Sequence, residues 1–244
     1  DDSRPLPCSK ALQRWRLQEA LYAEGRASGI CAQQIALVGM GGDDREAWVA
    51  MPEDLFADGQ AAFMEALGLA KDPVQKARIE AALAELWYCA ASSNEEGLAG
   101  VLMPGARGHA DFERLGGLPD LPPPSKLEGV NNRNDLCQMY AARLSHASLM
   151  RTQAALAKLE EVGEGETLSA AWMMKDLGKV HDFARMLSPD VFQLACLEPM
   201  DHTQSGELLH RALGVQCKLQ GEKHENTENI LRLLGGGADS DSDD

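Results

Sequence analysis

The chain has 244 residues, with 38 acidic against 23 basic side chains and a formal net charge of −15. Neutralising phosphates needs a surplus of Lys and Arg, so the balance argues against nucleic acid and towards other proteins, basic surfaces among them. No uncharged apolar stretch approaches the roughly 20 residues that cross a bilayer, so no membrane insertion is expected.

The aliphatic side chains point to helix. Leu and Ala together number 67, whereas Ile, Val and Thr together number 17. Unbranched and γ-branched side chains keep their rotamers in a helix, and β-branched ones suit the pleated sheet. A large sheet is hard to write with so few strand formers.

Taken in chain order, the first helix signal is Ser9, which precedes an apolar stripe of Leu12, Trp15, Leu17 and Leu21. The run Ile35-Ala36-Leu37-Val38 then meets Gly39-Met40-Gly41-Gly42. This imitates the strand and glycine loop that hold a pyrophosphate on helix amides, making Gly39, Gly41 and Gly42 the candidate cofactor-binding residues. The pattern is incomplete: Asp44 stands at the third glycine position, and Asp43 and Asp44 would face the phosphates with negative charge. A short apolar segment ending in a glycine turn is the competing reading.

Met51-Pro52-Glu53-Asp54 starts a second helix, with proline in the first turn and acids against the helix dipole. Asp72-Pro73-Val74-Gln75 starts a third, with Asp at the N-cap and Gln at N3. Ile79, Leu83, Leu86 and Ala90 then recur at three- and four-residue steps, which places them on one buried face. Glu80 and Glu85, embedded in that apolar stretch, are the nearest approach to an acid/base pair, and an exposed helix surface accounts for both.

Residues 92–133 differ in kind, with seven glycines and the run Leu118-Pro119-Asp120-Leu121-Pro122-Pro123-Pro124. Glycine entropy and missing proline donors prevent one helix here, so a connector or surface strap is expected. A long helix follows from Asn134 to Val162, with Leu136, Tyr140, Leu144, Ala147, Ala154, Leu156 and Leu159 along its seam and Gly163 and Gly165 ending it. Arg143 and Arg151 fall near that seam, and one of them is expected to snorkel outwards or pair with an acid. Leu168 to Leu187 is a further helix in which Gly178 weakens the case for an unbroken rod. Ser188-Pro189-Asp190 opens another, and 207–219 and 222–234 complete the set. The tail Asp239-Ser240-Asp241-Ser242-Asp243-Asp244 repels itself and has nothing to bury, so a disordered acidic end is expected.

The remaining chemistry is sparse. His224 and Glu228 lie four apart, on one helix face, as two zincin histidines do, and His202, His210, Cys196 and Cys217 surround them in sequence. His202, His210, His224 and Glu228 are therefore the candidate metal ligands. His202 and His210 point about 80° apart around a helix, and no C-x-x-C pair supports the set, so solvated histidines are the competing reading. His109 with Asp111 and His181 with Asp182 are the close histidine–acid pairs; neighbours on a helix cannot hydrogen-bond as a base and its orienting acid do. No catalytic residue and no cofactor is assigned. The cysteines, Cys8, Cys31, Cys89, Cys137, Cys196 and Cys217, are too dilute for a stapled secreted scaffold and fit free thiols in a reducing, intracellular compartment. A start at Asp1 rather than Met also leaves room for a processed organellar form.

The expected architecture is mainly α: two irregular helical blocks, of bundle or degenerate helical-repeat type, over 9–91 and 134–235. A Gly/Pro-rich connector over 92–133 joins them, and 236–244 form the tail. The expected function is non-catalytic protein–protein interaction, as a scaffold or accessory subunit of a larger assembly. The alternative is an enzyme or a small-molecule or metal binder, sited at the 39–44 turn or the C-terminal histidines.

Overall fold

Local capping explains where the rods begin and end in the computed structural model, which describes residues 10–39, 52–92, 133–187, 189–195, 197 and 203–235. Among these residues there are eight helices and no strand: α1 (Lys10–Gly39), α2 (Pro52–Leu69), α3 (Pro73–Ser92), α4 (Arg133–Glu161), α5 (Leu168–Met186), α6 (Pro189–Leu194), α7 (Ser205–Gln220) and α8 (Glu225–Gly235). The protein is mainly α with bundle-like packing, as its composition requires. The connector residues 93–132, the proline run within them, Trp48 and the tail lie outside the described residues.

Asp72 caps α3 as expected, its Oδ1 accepting the Val74 backbone N–H at 3.0 Å. α4 ends in a Schellman motif. Gly163 adopts φ +82°, its N–H donates to Glu160 O at 3.1 Å, and the Glu164 N–H donates to Leu159 O at 2.8 Å. Two otherwise orphaned carbonyls are thereby satisfied, and only glycine takes that φ without strain. Thr167 then caps α5, its Oγ1 accepting the Ala170 N–H at 3.3 Å.

Gly178 does not interrupt α5. A Cβ there would stand 2.7 Å from Leu209 Cγ and Cδ2. The glycine is present because α7 crosses α5 at that point, and Ser205 Oγ confirms the closeness by donating to Gly178 O at 3.2 Å. Packing at one residue has overridden helix propensity.

The helices pair along the chain: α1 lies along α2, α3 along α4, α5 on α4, α7 on α5 and α8 on α7. α3 buries far more than one stripe. The expected Ile79, Leu83, Leu86 and Ala90 are buried, and so are Ala81, Ala84 and Trp87 on its other sides. Its small side chains let α4 approach closely, so that Ser148 Oγ donates to Ala84 O at 2.7 Å. One hydrophobic cluster joins Phe56, Phe63, Leu83, Trp87, Met139, Leu144, Phe183 and Phe192. A second joins Ala81, Leu156, Leu159, Met173, Leu177, Val180, Leu209 and Ile230. α3, α4 and α5 contribute to both, so the N- and C-terminal helical blocks share their interior. At about 1.5–3 kcal/mol for each large apolar side chain buried, this shared interior is the main stabilising term.

Two expectations gain detail. Arg143 does not snorkel: it is 2% exposed and its Nη1 donates to Ala195 O at 3.3 Å. Arg151 lies over the Trp87 ring at 4.8 Å, a cation–π contact, while Trp87 Nε1 donates to Gln60 Oε1 at 3.0 Å. On the predicted α1 stripe only Leu21 packs inward, whereas Leu12, Trp15 and Leu17 stay exposed. Length explains this. α1 has 30 residues and α2 has 18, about 45 Å against 27 Å, so the first turns of α1 run past the end of their partner.

Candidate functional site

The sequence-derived candidates are scattered. Residues 35–38 form the last turns of α1 rather than a strand, and Gly39 is the final residue of that helix. The strand from which a phosphate-binding loop would spring is therefore a helix. Gly41 and Gly42 lie outside the described residues, as do His202 and Cys196. His210 and Glu228 are exposed on α7 and α8. His224 precedes α8 and serves it locally, its Nδ1 accepting the Asn226 backbone N–H at 3.1 Å and its carbonyl the Glu228 N–H at 3.0 Å. Among the described residues, no group of three or more His, Cys, Asp or Glu side chains is placed to hold a metal ion. His109 and Asp111 lie outside the described residues. Asp182 accepts a hydrogen bond from Ser205 Oγ at 3.1 Å.

A different cluster converges where α1, α3 and α5 meet. Glu80 and Glu85 are both largely covered, at 22% and 25% side-chain exposure, Glu80 paired with Lys158 Nζ at 2.8 Å and Glu85 facing α1. Arg26 of α1 donates to Glu85 Oε2 and lays its guanidinium over the Trp172 ring at 4.7 Å. One turn along α5, Asp176 is buried and its Oδ1 faces Lys179 Nζ at 3.5 Å. Lys175, beside it, is half-buried and makes no ion pair with any described residue.

Crowding acids and bases away from water changes their protonation. Burial pushes the Glu85 carboxyl up to about 7; the Asp176 charge adds to this, and Arg26, Lys179 and Lys175 oppose it. Burial likewise raises Asp176, against Lys179 and Lys175, and lowers Lys175, against Asp176. Cys89, one turn after Glu85, is pushed up to about 12 by burial and then by the Glu85 charge. That thiol is a poor nucleophile at neutral pH.

An open groove of about 390 Å³ lies over this cluster. Tyr22 and Arg26 of α1, Glu85 of α3, and Leu168, Trp172 and Lys175 of α5 form one wall. Gln216, Gln220 and Asn226 close it from α7 and α8. Behind Arg26 is a small void of about 50 Å³ against Gly25, Gly29, Phe63 and Cys89. Gln216 is 5% exposed, and its Oε1 has no hydrogen-bond partner.

Sequence reasoning missed Arg26, Lys175, Asp176 and Gln216. The signal was present for Asp176, a carboxylate inside the apolar run from Trp172 to Leu177, but its partners come from helices distant in sequence. Most of the negative charge of the chain lies outside the described residues. The helices themselves are close to neutral, and α1 carries Lys10, Arg14, Arg16 and Arg26 against Glu19 and Glu24. Among the described residues no helix is long and apolar enough to cross a membrane. Comparison of the chain with family models, curated proteins and solved structures finds no match.

Proposed function

We propose that this protein acts without catalysis, by binding another protein as a scaffold or accessory subunit, and that the first turns of α1 are a contact surface. The observation that carries the reading is Trp15, 47% exposed, with Leu12 at 38% one turn before it on the same face of a helix that has outrun its neighbour. A large aromatic side chain left in water is costly in the free protein, and tryptophan is the residue most enriched among binding hot spots. Arg14 and Arg16 flank it, so the surface suits a partner with an apolar cleft edged by acids. The acidic balance of the whole chain suits partners with basic surfaces.

Substitutions on this overhang disturb no core contact, which makes the test clean. Trp15→Glu and Leu12→Glu should leave the helical spectrum and melting temperature unchanged. Purified from its native source, the wild-type chain should elute with a stoichiometric partner that Trp15→Glu loses. A truncated hot-spot residue typically costs at least about 2 kcal/mol, some thirtyfold in affinity. A wild-type chain that elutes alone, or a partner retained by both variants, overturns the reading.

A further inference from the structure

We draw no further inference here: the strongest candidate, the open groove of about 390 Å³ between α1, α5 and the α7–α8 turn, carries nothing, because Arg26 and Lys175 in its wall already lie beside Glu85 and Asp176 and nothing in the structure shows what covers it.

Discussion

Replacing Glu85 by Gln tests the electrostatics of the α1–α3–α5 junction directly. In the folded chain this carboxyl titrates at about 7, against 4.5 in the open, with burial the main cause and Asp176 the second. Because the folded value lies above the unfolded one, the native state holds the extra proton between those two pH values. Stability contributed by Glu85 is therefore fully present below about 4.5 and is lost as pH rises through 7. At about 1.4 kcal/mol per pH unit the loss is on the order of 3 kcal/mol. Gln keeps an oxygen for the Arg26 guanidinium and never ionises. Urea unfolding followed by circular dichroism at pH 5, 6, 7 and 8 should give nearly equal stabilities for wild type and variant at pH 5. At pH 8 the variant should be the more stable, by on the order of 2–3 kcal/mol. Two curves that stay parallel, or a variant weaker at every pH, would show that Arg26, Lys175 and Lys179 fully offset the burial of the carboxylate.

Other consequences concern packing, caps and thiols. Gly178→Ala puts a methyl 2.7 Å from Leu209; strain of about 1–3 kcal/mol should exceed the roughly 1 kcal/mol gained in helix propensity, giving a lower melting temperature. Gly214→Ala, on the open face of α7 with nothing within 4 Å of the new methyl, should raise stability by up to about 1 kcal/mol. His224→Ala removes the ring nitrogen that caps α8 and should cost about 1 kcal/mol in urea unfolding. With a chromogenic disulfide reagent under native conditions, exposed Cys31 should react promptly, and Cys89, half-buried with its thiol pushed up to about 12, should react far more slowly.

The rods themselves were legible because their ends are written locally. Asp72-Pro73, Gly163 and the prolines at 52 and 189 each fix a terminus by a contact within a few residues, so a single sequence suffices to place it. Faces were legible where a helix has one neighbour and failed where it has several or none. α3 is wrapped on all sides, so the Ile79–Leu83–Leu86–Ala90 line understates its burial. The opening of α1 has an apolar line with nothing behind it, because helix lengths do not reveal how two rods align. Glu85 was read as surface because a carboxylate between Ala84 and Leu86 signals nothing about Arg26, 59 residues earlier. Gly178 was doubted on propensity, whereas the close passage of Leu209 is a non-local fact. The groove is assembled from five helices, and no spacing within any one of them announces it.

The placement of α3 bears on what holds the chain in one piece. Its residues belong to both apolar clusters, and it touches α4 through a hydroxyl–carbonyl contact as well as through Trp87 and Arg151. These contacts join the two sides of the chain independently of the peptide bonds that run from residue 92 to residue 133. Were α1–α3 and α4–α8 parted, each side would turn a greasy seam to water, and the burial that holds the intact chain would draw them back together.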